Sequence, residues 1–172
     1  MFAISRAGAG TNNINISECS EKGVVVFNTP GANANAVKEM VICALILGKR
    51  DLVSGNKTID SINTEKLSDE EISKRIEDMK KAFVGQEIKG KTLSVIGLGA
   101  IGSMVAEQAI QLGMHVQGYD PGITVETALR LPRDINVCKK IDDSFKGSDY
   151  VSLHIPLNEK TKGLINKDLI KC

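Results

Sequence analysis

Thr92-Leu93-Ser94-Val95-Ile96-Gly97-Leu98-Gly99-Ala100-Ile101-Gly102 changes character at its midpoint. Thr92 to Ile96 is a short, mostly apolar run that reads as a buried strand. Ala100 to Leu112 reads as a helix ended by Gly113, and His115 to Tyr119 as a second strand. Together they form a strand, helix, strand unit of about 30 residues with parallel strands. Three glycines sit where the first strand passes into the helix. Gly97 lets the chain turn tightly, Gly99 keeps a side chain away from the mouth of the turn, and Gly102 lets the helix lie close to the strand.

A turn of this kind cradles phosphate, because first-turn amides and the positive end of the helix dipole point at one place. Asp120 follows Gly102 by 18 residues, at the carboxyl end of the second strand, where the ribose of a dinucleotide would lie. A carboxylate there accepts hydrogen bonds from the ribose diol and repels a 2′-phosphate. Pro121, Gly122 and Ile123 bring no arginine to hold that phosphate, so NAD is favoured over NADP. The plain alternative is a simple strand-to-helix turn with Asp120 capping the next helix. The coincidence of strand, glycines, helix, strand and acid speaks for the dinucleotide.

Downstream the alternation continues: helix over 124–130, a weak strand over 135–138, a short helix over 142–146, a strand over 150–153 and a helix starting near Asn166. This predicts an α/β fold with a Rossmann-type, doubly wound parallel sheet, incomplete at its carboxyl end. Upstream, Ser68-Asp69-Glu70-Glu71 has the form of a capping box, with Ile72, Ile76, Met79 and Phe83 at helical spacing behind it. Ala36 to Leu47, capped by Asn33 or Asn35, is apolar on nearly every face and is expected to be buried all round, between domains or subunits. Gly48, Gly55 and Asn56 are read as closing that helix and opening a polar stretch.

Residues 2–5 and 24–27 read as strands on either side of a short helix at 16–22. So small a unit cannot cover its own sheet, so 1–32 is expected to be the remnant of a second α/β domain, and 33–172 the dinucleotide domain.

The 22 Lys and Arg are balanced by 21 Asp and Glu for a formal charge of +1, with no basic stripe to serve nucleic acid. Four scattered cysteines show neither a metal-ligand nor a C-x-x-C spacing, and suggest reduced thiols in a cytoplasmic protein. No signal peptide is evident, and Met40 to Leu47 is too short to cross a bilayer, so no membrane partner is expected.

His154 stands just after a strand, at the edge where open α/β sheets place ligands. No carboxylate in the sequence is an evident partner to orient it as a base, so a loop residue beside the cofactor is the simpler reading. Gly8-Ala9-Gly10, also after a strand, could present backbone amides to an anion or form only a turn. The residues leave both readings open.

The runs 5–14 (Ser-Arg-Ala-Gly-Ala-Gly-Thr-Asn-Asn-Ile), 27–33 (Phe-Asn-Thr-Pro-Gly-Ala-Asn), the Gly97 loop, and His154-Ile155-Pro156-Leu157 with Thr161 and Leu164-Ile165-Asn166 together resemble the D-2-hydroxyacid dehydrogenases. The similarity spans essentially the whole chain. The wording of residues 24–50 and 84–121 is nearest to the branch that oxidises 3-phosphoglycerate with NAD on the way to serine. The resemblance implies a small-molecule 2-hydroxy acid substrate, a two-domain subunit and a homodimer formed through the dinucleotide domain. It implies that Gly8, Ala9 and Gly10 face the substrate carboxylate and nicotinamide. It further implies that Ala100 and Ile101 lie against the pyrophosphate, Asp120 against the ribose, and the loop of His154, Ile155 and Pro156 beside the adenosine. The family's catalytic arginine, glutamate and histidine fall in segments that would follow Cys172. The chain is therefore expected to be truncated at both ends, with dinucleotide binding but no catalytic residue of its own. Two rival readings stay open: another 2-hydroxyacid dehydrogenase, of the glyoxylate, hydroxypyruvate or D-lactate type, and a non-catalytic NAD-sensing binding module.

Overall fold

A computed structural model describes residues 2–63 and 67–171. Strand β1 (Ala3–Arg6), helix α1 (Ile16–Glu21) and strand β2 (Val25–Asn28) come first. Three helices follow, α2 (Ala34–Leu47), α3 (Leu52–Asn63) and α4 (Asp69–Lys80), the last running into a 3-10 turn at Lys81–Phe83. Then come β3 (Thr92–Ile96), α5 (Ala100–Gln111), β4 (His115–Tyr119), α6 (Val125–Arg130), β5 (Asn136–Val137), α7 (Ile141–Phe145), β6 (Tyr150–Leu153) and α8 (Lys167–Ile170).

The strands form two parallel sheets. β1 pairs with β2 from Ala3↔Val25 to Arg6↔Asn28. The second sheet has the order β5-β4-β3-β6. The chain steps outward from β3 to β4 and β5, then crosses back to place β6 on the other side of β3. This is half of a doubly wound sheet, and the reversal of direction lies between β3 and β6.

Central β3 is buried from Leu93 to Ile96 because both of its faces are covered, which is why its sequence is nearly continuous in apolar residues. On one face Leu93 and Val95 pack with Leu98, Val105, Ala106, Ala109, Met114, Val116 and, from α2, Leu45. On the other, Ile96 meets Phe145 and Leu169. Each fully buried Leu or Val contributes about 1.5–3 kcal/mol over its exposed state. That packing holds the carboxyl ends of β3, β4 and β6 in place.

Of three expectations, the first is met on one side of its helix and the other two are corrected. Helix α2 packs on α5 with one side only; Ala34 and Leu45 are its buried residues, while Met40 is 69% exposed and Cys43 is exposed in this chain. A helix apolar all round offers two faces, and this chain supplies a cover for one. The second concerns 52–63, where a helix takes the place of the expected polar stretch. Asp51 Oδ1 accepts from the Ser54 N–H at 3.0 Å, an N-cap that outweighs the helix-weakening Gly55 and Asn56. Leu52, Ile59, Ile76, Met79 and Phe83 then line an open apolar groove between α3 and α4. Third, Asn33 holds the N-cap position of α2 without a side-chain capping bond, and Asn35 instead donates to Glu39 at 2.8 Å. The capping box at α4 forms as its sequence requires, with Glu71 N–H to Ser68 Oγ at 3.4 Å and Ser68 N–H to Glu71 Oε2 at 2.9 Å.

Candidate functional site

The carboxyl ends of β3 and β6 flank the reversal, the place where this sheet type binds ligands. The glycine turn leaves β3 there, and the loop after β6 lies against it. Gly97 has φ +92°, and a Cβ on it would stand 2.6 Å from the His154 carbonyl oxygen and 2.9 Å from Ile155 Cγ2. Only glycine brings the two loops this close.

The other glycines differ in kind. A Cβ on Gly102 would collide with the Gly97 carbonyl oxygen, so this residue sets how tightly α5 sits on β3. A Cβ on Gly99 would meet nothing within 4 Å. The space above Gly99 is open, and its backbone is ordinary, at φ −70°. The first backbone bond of α5 is Ser103 N–H to Gly99 O at 3.0 Å, so the Ala100, Ile101 and Gly102 amides precede the helical ladder. No acidic side chain occupies the first turn of α5. Amides without a partner among the described residues, a positive dipole end and open space above Gly99 fit a pyrophosphate.

Asp120 ends β4 facing this turn. Its Oδ2 accepts from the Leu98 N–H at 2.8 Å and its Oδ1 from the Gly122 N–H at 2.8 Å. The carboxylate is thus fixed against the glycine turn with lone pairs left for a diol. Asp120 does not cap the next helix, because Thr124 does so, accepting from the Thr127 N–H at 3.2 Å. The alternative that set Asp120 aside as a helix cap therefore falls.

The loop after β6 is tied to the sheet by His154 N–H to Ile96 O at 2.7 Å. The ring of His154 is half-buried, with Nε2 2.8 Å from Ser152 Oγ. Burial holds its pKa below the ordinary imidazole value. Among the described residues no carboxylate orients the ring, so the structure gives it no base's environment. Ile155 packs beside Ile96, and the Pro156 carbonyl accepts from Thr161 Oγ1 at 2.6 Å, which closes the turn at 156–161.

The Gly8-Ala9-Gly10 loop leaves β1 at the same end of its own sheet. Gly8 is buried, with φ +147°, and the guanidinium of Arg6 lies where its Cβ would stand. Thr29 and Asn28, at the end of β2, hold this loop, and sequence reasoning missed both. The only signal was their position after a strand, opposite a glycine turn. A Cβ on Gly31 would lie 3.8 Å from Ala100 Cβ, so the turn holding the Gly8 loop also abuts the head of α5. Gly97, Gly99, Gly102, Asp120 and 154–156 thus gather directly, and Gly8–Gly10 joins them through the 28–31 turn.

The family model of the D-isomer specific 2-hydroxyacid dehydrogenase NAD binding domain matches residues 58–172. The chain is 36% identical to a hydroxypyruvate reductase of Thermotoga maritima, over 97% of this chain and 48% of that protein. It is 34% identical to a D-3-phosphoglycerate dehydrogenase of Methanocaldococcus jannaschii, over 97% of this chain and 29% of that one. Among solved structures it is similar to the NAD+-bound 3-phosphoglycerate dehydrogenase of Entamoeba histolytica, with a TM-score of 0.68 and 36% identity over 99% of this chain and 45% of that one. The chain spans less than half the length of each of these relatives.

Proposed function

The chain belongs to the D-isomer-specific 2-hydroxyacid dehydrogenase family and carries its NAD-binding domain, and from that premise we propose that the full-length protein oxidises 3-phospho-D-glycerate to 3-phosphohydroxypyruvate on the way to serine. When bound, NAD would supply the hydride acceptor for the hydroxy acid. In this reading Gly97, Gly99, Ala100, Ile101 and Gly102 hold the pyrophosphate, Asp120 holds the ribose, and His154, Ile155 and Pro156 line the adenosine side. Residues 33–172 belong to the dinucleotide domain and 1–32 to the substrate domain, whose loop Gly8-Ala9-Gly10 faces the substrate. The base that takes the hydroxyl proton and the cation that holds the carboxylate belong to segments outside these 172 residues. The observation that carries the dinucleotide-dependent dehydrogenase reading is the glycine turn at the sheet's reversal with Asp120 held against Leu98 N–H.

The phosphoglycerate assignment is supported by relatives of that name at 34% and 33% identity. A second reading, reduction of hydroxypyruvate or a similar small acid, is favoured by the 36% identity to the Thermotoga protein. Turnover by the full-length enzyme separates them: a clear preference for 3-phosphoglycerate over D-glycerate and D-lactate supports the first, and the reverse order supports the second. The 172-residue chain itself should bind NADH and turn over none of these. Asp120→Ala should weaken NADH binding roughly tenfold, the size of a lost hydrogen bond to a charged group. Unchanged NADH affinity in that variant would count against the assigned site.

The exposed apolar face of α2 supports a homodimer, with a second copy covering Met40 and Cys43. The cysteine spacing supports a cytoplasmic location. No helix among the described residues is long and apolar enough to cross a membrane.

A further inference from the structure

We infer that Thr29, braced by Asn28, is a positioning residue for the substrate loop, holding the backbone of Gly8 and Ala9. The inference rests on the reading that Gly8-Ala9-Gly10 faces the substrate carboxylate. Gly8 is committed on every side. Its N–H donates to Thr29 Oγ1 at 2.7 Å and to Arg6 O at 3.0 Å. Its carbonyl accepts from the Thr29 N–H at 3.1 Å, and Thr29 Oγ1 donates to Arg6 O at 3.3 Å. One hydroxyl thus accepts from Gly8 and donates to Arg6, so only a side chain with both capacities fits.

Asn28 grips the next residue, donating from Nδ2 to the Ala9 carbonyl at 2.9 Å. With the Gly8 carbonyl held by the Thr29 N–H and the Ala9 carbonyl by Asn28 Nδ2, the peptide planes on either side of Ala9 are fixed. Ala9 and Gly10 are exposed, and their N–H groups have no partner among the described residues. Two consecutive amides on a backbone held in this way are available to an anion. Amides fixed in advance need no reordering when the carboxylate arrives, so loosening them weakens substrate binding and transition-state alignment and leaves the dinucleotide site as it was.

The test uses the full-length protein and a 2-hydroxy acid that the wild type oxidises, with Thr29→Val, Thr29→Ser and Asn28→Ala. Thr29→Val keeps the β-branched shape and removes the hydroxyl. It should lower kcat/KM for the hydroxy acid roughly tenfold or more, with the NADH dissociation constant within about twofold of wild type. Thr29→Ser restores the hydroxyl and should return kcat/KM to within about threefold of wild type. Asn28→Ala changes an exposed side chain and should lower kcat/KM at least about threefold at unchanged NADH affinity, so it decides the matter if Thr29→Val does not fold. Equal losses of turnover and NADH affinity, no loss in either foldable variant, or a serine variant as impaired as valine would each overturn the inference alone. A wild type that binds NADH but oxidises no 2-hydroxy acid would overturn the proposed function and this inference together.

Discussion

At the residue scale the three glycines separate by what surrounds them. Gly102→Ala drives a methyl into the Gly97 carbonyl, so it should destabilise the domain by about 1–3 kcal/mol in urea unfolding and weaken NADH binding as well. Gly99→Ala meets open space at an ordinary φ, so stability should stay within about 0.5 kcal/mol while NADH affinity falls. Equal stability losses in the two variants would contradict this division. His154 makes a pH prediction. Burial lowers its folded pKa below 6.5, so the unfolded chain takes up the proton more readily. The stability tied to neutral His154 is complete above pH 6.5 and is lost as pH falls from there through the folded pKa. Wild type should therefore lose more of its melting temperature between pH 7.5 and about 5.5 than His154→Gln does, and parallel curves would show that burial of this ring is not felt. Gly97, Gly102 and Asp120 could be singled out from spacing alone, because each answers a local demand of a strand-to-helix turn. Thr29 could not, since its partner Gly8 lies 21 residues away in the loop after another strand.

At the element scale the strands and helices of 92–153 follow their sequence closely, because apolar period and glycine punctuation agree there. Helix α4 begins where its capping box places it. Ser68→Ala removes both bonds that the serine hydroxyl makes, to the Glu71 amide and to the Glu71 carboxylate, and should cost about 1 kcal/mol in urea unfolding of the 172-residue chain. A value near zero would mean that α4 opens before the rest of the domain unfolds. Helix α3 was hidden by Gly55 and Asn56, which weigh against a helix in any short window. A cap at Asp51 and an apolar face meeting Phe83 reverse that balance, and the second exists only once α4 has folded beside it.

At the scale of the whole molecule, the outer face of α2 is the feature with the largest consequence. If a second copy covers it, Met40→Glu should shift the full-length protein from dimer to monomer in sedimentation velocity. A charge buried in an apolar interface lacks a compensating partner there. A wild type that sediments as a monomer at micromolar concentration would remove that reading. The sequence by itself determined the parallel α/β class, the glycine turn, the acid at the end of the next strand and the preference for NAD. These rest on short-range periodicity and on residue types with few alternatives. Only the tertiary structure decided which face of α2 is buried, that α3 is a helix, that Asp120 is fixed against Leu98, and that Thr29 and Asn28 hold the Gly8 loop. Each of these depends on groups brought together from distant parts of the chain, and spacing along a single strand or helix carries no record of what packs across from it.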